Sequence, residues 1–312
     1  MLPAMAFCSQ VRLAAIASRT KEKAEQCATK FGCDAVEGYA ELLRRDDVEA
    51  VYVPLPIGLH EEWVSAALQA GKHVLSEKSL AVNLASAGRM IEAARNGGLL
   101  LVENYLFPHH NQTVWILDHI LKAGCIGDIW QVRSTVSFPP LPPDNIRYRP
   151  ELGGGALLDA GGYTVKVARM LLGDPLHICG AYLCLEGQKG VDIAGGAQFL
   201  SARGMLAQVS FGFRSFYQCS LEVLGSEGRL TVPRIFTPRP DYQPVVRVET
   251  RQGVEEHRLP KDNHFANMWT YFAETVRSGR GFEAEYEESL LQARCQTSIW
   301  ETAERICGNQ HE

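Results

Sequence analysis

The sequence predicts an α/β chain: a Rossmann-like doubly wound parallel sheet first, then an α+β domain built on an open, mostly antiparallel sheet. Three observations predict it. Over residues 1–106, continuous apolar runs of strand length alternate with amphipathic helical segments, the pattern of a parallel sheet covered on both faces. From about Phe107, strand patterns follow one another with turn-like tips such as SEGR and ARGM between them. The 312 residues also suffice for two hydrophobic cores. The boundaries drawn are 1–106 for the Rossmann-like domain and 107–312 for the α+β domain. A C-terminal helix is expected to pack back on the first of them.

The elements run as follows. Leu2 to Phe7 is a short helical piece, and Val11 to Ala17 a buried strand that stops at Ser18-Arg19-Thr20. KEKAEQCATKFG is a helix closed by Gly32, and GYAELLRRDD a second, short one. VEAVYVPLP is a strand ending in prolines, HEEWVSAALQAG a helix, and KHVLSEKS a strand that breaks into a loop. LASAGRMIEAARNG and LLLVEN complete the domain as helix and strand. Beyond it, HNQTVWILDHILKAGCIGDI reads as one helix and a turn. WQVRSTVSF, LHICGAYLCLEG, DIAGGAQFLSARG, MLAQVSFGFR, QCSLEVLGSEG, RLTVPRIF and PVVRVETRQG read as strands. One long internal helix is expected to start near Asp159, and HFANMWTYFAETVRSG and SLLQARCQTSIWETAERICG close the chain as helices.

Composition narrows the function. A net charge of -5 gives no basic excess for nucleic acid. No apolar stretch reaches the roughly 18 residues of a membrane helix, and no basic start followed by an apolar stretch marks a secretory signal. The nine cysteines form no CxxC pair and no zinc spacing. They read as reduced, small hydrophobic packers in a cytoplasmic protein without a metal.

Six stretches could carry chemistry. Ser18-Arg19-Thr20 ends the second strand of a dinucleotide fold, where an acidic residue selects NAD and an Arg accommodates a 2′-phosphate. The other reading is a helix start with Ser18 or Thr20 as N-cap. Pro54 and Pro56 hold an extended loop at the carboxyl edge of the sheet, suited to a ligand or to rigid connection alone. Glu77 and Lys78 follow a strand directly, and a Lys there can polarise a carbonyl. In ELGGGALLDAGGYTVK, three glycines let backbone approach a ligand or another helix, and Asp159 and Tyr163 share a helical face ahead of Lys166. Arg147 and Arg149 suit a phosphate or carboxylate of a substrate. His109 and His110 open a helix, with His110 expected to face the cleft.

VPLPIGLHEEW, AGKHVLSEKSLA, LLLVENYLFPHH, KAGCIGDI and GGGALLDAGGY together resemble the glucose–fructose oxidoreductase/inositol dehydrogenase (Gfo/Idh/MocA) family. The similarity runs from residue 1 to about 306, and FPPLPPDNIRYRPELGGGALLDAGGY and RIFTPRPDYQPV look like its NDP-hexose 3-ketoreductase branch. The resemblance implies that Lys78 is the lysine beside nicotinamide and substrate carbonyl, with Ser79 where the family usually has Pro. It implies that Tyr163 is the proton donor and that Asp159, one turn earlier, touches substrate. Ser18, Arg19 and Thr20 become the NADP-selecting strand end. Leu55, Pro56 and His60 line the cofactor, and Glu77 and Asn104 lie near the nicotinamide ribose. Arg147 and Arg149 remain substrate candidates. Family members begin with a strand and a glycine-rich turn, roughly IGVIGCADIA, directly before a piece like MLPAM. The 312 residues contain neither, and no later GxGxxG replaces them.

The expected activity is NADPH-dependent reduction of a keto sugar, at C3 of an NDP-linked deoxyhexose, by a cytoplasmic homodimer or homotetramer. NADP(H) is favoured over NAD(H). Two alternatives stand beside it: an NAD(P)-dependent dehydrogenase of a free sugar or diol, and a cofactor-impaired, non-catalytic sugar-nucleotide-binding paralogue.

Overall fold

The computed structural model describes residues 1–187 and 190–308. The chain divides into two compact units. The first comprises Met1–Ala81, Ala85–Asn104 and Phe265–Leu290, and the second Val82–Leu84, Tyr105–His264 and the chain from Leu291 onward.

After a short 3-10 turn at Leu2–Phe7, the first unit alternates β1 (Ala15–Ser18), α1 (Lys21–Phe31), β2 (Asp34–Glu37), α2 (Tyr39–Leu43) and β3 (Ala50–Val53). It continues with α3 (His60–Gln69), β4 (His73–Glu77), α4 (Leu84–Gly97) and β5 (Leu101–Asn104). Helix α1 forms because Ala24 and Ala28 repeat at helical spacing and are buried, and it ends because Gly32 adopts the left-handed conformation and donates to the Ala28 carbonyl. Val74, Leu75 and Ser76 of β4 are all fully buried, as a central parallel strand requires.

The parallel strands form two sheets, β1–β2 and β3–β4–β5, with no ladder joining β1 to β3. A cleft of about 650 Å3 is lined by Ala15, Ile16 and Ala17 of β1, by Val51, Tyr52 and Val53 of β3, and by Phe272. Strand β1 is accordingly only partly buried along its length. The apolar run Val11 to Ala17 becomes strand only from Ala15. Strand β2 is a departure from the expected order, because its DAVE is mostly exposed and carries no apolar pattern.

The second unit contains α5 (Asn111–Leu117), β6 (Ile129–Ser137), α6 (Gly162–Leu172), β7 (Leu176–Glu186), β8 (Asp192–Ser201), β9 (Leu206–Gly212) and β10 (Gln218–Gly225). It goes on with β11 (Gly228–Val232), β12 (Val245–Thr250) and β13 (Gly253–Arg258). Helices α7 (His264–Ser278) and α8 (Phe282–Thr302) and strand β14 (Glu304–Gly308) close the described chain. The nine strands run β13-β12-β11-β10-β6-β9-β8-β7-β14, antiparallel except for β6–β9 and β7–β14. Helix α6 crosses one face over β6 and β9, and Val132, Val136, Val165, Phe199, Val209 and Phe211 fill the core between.

The helix and turn expected over 110–129 are α5 followed by a π-helical turn, Asp118–Lys122. The helix expected near Asp159 begins as a second π-helical turn, Leu157–Gly161, and becomes α6. Strand β11 stops at Val232 because Pro233 has no amide to donate.

Candidate active site residues in the two units

In the first unit the candidates gather at the carboxyl ends of β1, β3, β4 and β5. Ser18 ends β1, and Arg19 and Thr20 are exposed. Thr20 occupies the N-cap position of α1 without a side-chain bond to it. Arg19 forms no ion pair among the described residues, so the helix start carries an exposed guanidinium beside its N-cap.

The end of β4 is firmly held. Glu77 Oε1 accepts from Tyr52 Oη at 2.5 Å and from Asn104 Nδ2 at 2.7 Å, with Asn104 the register partner of Glu77 on β5. The loop Lys78-Ser79-Leu80 follows, and the Lys78–Ser79 peptide is cis. Two side chains tether it. Glu103 Oε1 accepts from the Leu80 amide at 2.8 Å, and His60 Nδ1 lies 3.1 Å from the carbonyls of Ser79 and Leu80. The other ring nitrogen of His60 lies 2.8 Å from the Leu55 carbonyl. Burial holds the His60 pKa below the ordinary histidine value. Fully buried with both nitrogens engaged, His60 acts on a ligand only through the loops it ties, which include Leu55, Pro56 and Lys78. Serine in place of proline therefore does not leave this loop unsupported.

In the second unit four glycines of the glycine-rich stretch have close protein neighbours. A Cβ on Gly154 would lie 2.6 Å from the Arg147 carbonyl oxygen, and one on Gly155 would lie 2.2 Å from Asp192 Oδ1. A Cβ on Gly161 would meet Phe211 at 2.9 Å, and one on Gly162 would meet Tyr105 Oη at 2.0 Å. The close approach these glycines allow is to loop carbonyls, a buried carboxylate and two aromatic rings. Arg147 Nε donates to Asp159 Oδ2 at 2.6 Å, so the carboxylate it meets belongs to the protein. Arg149 is exposed and pairs with Glu151 at 3.1 Å.

Tyr163 packs edge-on against Tyr105 with ring centroids 5.2 Å apart, and lies against Phe107 and Phe236. Lys166 Nζ stands 5.3 Å from the Tyr105 ring centroid. Burial and then the Lys166 charge push His109 down to about 4. His110 departs from expectation. Its Nδ1 accepts the Gln112 amide at 3.1 Å, its ring packs on His264, and it is fully buried, so it caps α5 and faces no cleft.

Sequence reasoning missed Tyr52, Glu103 and Asp192. Glu103 is an acid inside the apolar run LLLVEN and could have been flagged on that ground. Asp192 opens a strand after a turn, where an acid ordinarily meets solvent, so nothing in the sequence marks it. Among the described residues no cysteine forms a disulfide. Among the described residues no helix is long and apolar enough to cross a membrane.

A Rossmann-like parallel unit, a second unit on a large mixed sheet, and polar residues collected at the strand ends define a two-domain dinucleotide-dependent oxidoreductase. The chain belongs to the Gfo/Idh/MocA family. Residues 1–105 match the model described as oxidoreductase family, NAD-binding Rossmann fold, and residues 115–231 match the GFO/IDH/MocA C-terminal domain. A dTDP-3,4-didehydro-2,6-dideoxy-alpha-D-glucose 3-reductase of Saccharopolyspora spinosa is 42% identical over 297 residues, 94% of this chain and 89% of that relative. The enzyme of the same name from Actinomadura kijaniata is 43% identical over 94% of this chain and 88% of its own. The crystal structure of KijD10, a 3-ketoreductase from Actinomadura kijaniata in complex with NADP and TDP-benzene, superposes with a TM-score of 0.95. The identity there is 42%, with 98% of this chain and 94% of that one covered.

Proposed function

We propose that the chain reduces the C3 ketone of a deoxyhexose carried on a nucleoside diphosphate, using NADPH. The observation that carries this reading is the fixed end of β4. It presents Lys78 in a loop tethered by His60 and Glu103, in a chain similar over nearly its whole length to 3-ketoreductases. The residues present fit the two ends of the cofactor. Ser18 and the exposed Arg19 suit a 2′-phosphate, and Glu77 with Asn104 offers polar atoms beside the nicotinamide ribose. The described residues offer no glycine-rich turn for the pyrophosphate between those ends.

Bound NADPH supplies the hydride. Lys78 carries positive charge to the carbonyl oxygen as negative charge develops there. Tyr163 gives that oxygen its proton, and the rings of Tyr105, Phe107 and Phe236 keep its aromatic ring in place. Asp159, steered by Arg147, takes a sugar hydroxyl, and Arg149 takes a substrate phosphate in exchange for Glu151. The test is NADPH oxidation with NDP-3-keto-sugars. Tyr163→Phe should lower kcat by about 100-fold or more while the NADPH dissociation constant stays within about 3-fold. No oxidation with any such sugar would remove the reading.

One observation favours a second reading, a sugar-nucleotide-binding protein without turnover: β1 and β3 share no ladder. Titration of the chain with NADPH separates the two, because micromolar binding sinks the second. We also propose a cytoplasmic homodimer or homotetramer. The lack of disulfides among the described residues suits a reducing compartment. The outer face of the nine-stranded sheet carries a paired polar lattice, in which Gln131 and Arg133 meet Gln208, and Arg229 bridges Glu222 and Glu249. Sedimentation should give two or four times the chain mass, and a monomer at micromolar concentration would contradict it.

A further inference from the structure

The turn that carries Asp159 begins on backbone donors that no carbonyl within it satisfies. The first amides of any helix lack an intrahelical acceptor. Here the amide of Leu157 donates to Asp192 Oδ2 at 2.6 Å. Asp192 is the first residue of β8, is 2% exposed, and so is anchored in the sheet rather than in a loop. The fit is closed from the far side. Gly155 has φ +118°, and any Cβ there would strike Asp192 Oδ1.

Two further bonds complete the frame. The Gly155 amide donates to the Arg147 carbonyl at 2.9 Å, and the Asp159 amide donates to the Gly155 carbonyl at 3.1 Å. The Arg147 side chain then holds the Asp159 carboxylate. Asp192, Gly155, Arg147 and Asp159 are thus linked in one ring of contacts at the start of the helix that carries Tyr163. A buried carboxylate is costly unless its bonds are complete, and those of Asp192 go to this turn. The mechanism leaves Asp192 no contact with substrate.

We propose that Asp192 is a positioning residue, which fixes the Ala156–Leu157 end of the turn so that Asp159 and Tyr163 keep the orientation proton transfer needs. The inference rests on Tyr163 as proton donor. A displacement of about 1 Å at a reacting group costs on the order of 100-fold in rate, so a modest loosening is measurable.

The experiment is a double-mutant cycle. Asp192→Asn keeps the shape but turns one acceptor into a donor that faces an amide. It should lower kcat about 10-fold or more, with KM for the sugar nucleotide within about 3-fold. In a Tyr163→Phe background the same change should cost less than about 2-fold, because the hydroxyl it positions is gone. Equal losses in both backgrounds overturn the proposal. Amide exchange needs no turnover. The Leu157 amide should be protected in the wild-type chain and exposed in the variant, and an unprotected Leu157 amide in the wild type overturns the proposal even if the variant fails to fold. A wild-type chain without turnover overturns the reductase reading and the catalytic half of this one, while exchange still decides whether Asp192 holds the turn.

Discussion

At the scale of single residues, pH is where burial can be tested. His109 and His264 are both pushed down to about 4, chiefly by burial, and His60, His73 and His110 are lowered in the same direction for the same reason. For a lowered histidine, the unfolded chain takes the proton first. Stability is therefore lost as pH falls from about 6.5 towards 4. Asp192 works the other way. Burial raises it to about 6, so the native state takes its proton first and gains stability as pH falls from about 6 to the unfolded value near 4. The histidines outnumber it, so the melting temperature should fall between pH 6.5 and 4.5, and Asp192→Asn should steepen that fall by removing the opposing gain. A flat melting curve across this window would contradict the assignment. The sequence marks Lys78, Tyr163 and Glu77 as candidates because each stands beside a pattern break, a strand end or a glycine run. Tyr52 and Asp192 carry no such mark, because their partners lie 25 and 35 residues away, and Glu103 is marked only as an acid inside an apolar run.

At the scale of elements, legibility followed burial. The buried strands β3, β4 and β5 and the amphipathic helices α1, α3 and α4 were readable because apolar period and stop signals coincide. Strands β2 and β13 were not, because they are mostly exposed. GVEEHR on β13 carries the charges that keep an edge strand from further pairing. AERICG looked like more helix, yet the chain leaves α8 at Thr302 and lays β14 beside β7. Helix α8 also begins at Phe282, seven residues before the expected start, because EAEYEE is polar and shows no apolar stripe. The π-helical turns had no signal at all, since one extra residue per turn is set by tertiary contacts such as Gly161 on Phe211.

For the whole molecule, the two-part architecture was legible from the change of pattern near residue 107, and the return of Phe265–Leu290 to the first unit is a matter of packing. The separation of β1–β2 from β3–β4–β5 reaches beyond ligand binding. Strands in one ladder melt together; strands without a common ladder need not. The layer β1–α1–β2 is therefore a cooperative block of its own, able to open while β4 and β5 stay closed. It also carries the exposed Arg19, Lys21, Lys23 and Lys30. Within the first unit, brief digestion with trypsin should cut first between Arg19 and Lys30. Earlier cleavage after Arg89 or Arg95 on α4 would show a unit that opens only as a whole. The strand end read as selecting the cofactor would then sit on the least durable part of its domain, and proteolytic lifetime, rather than affinity, would report most directly on whether anything spans the cleft.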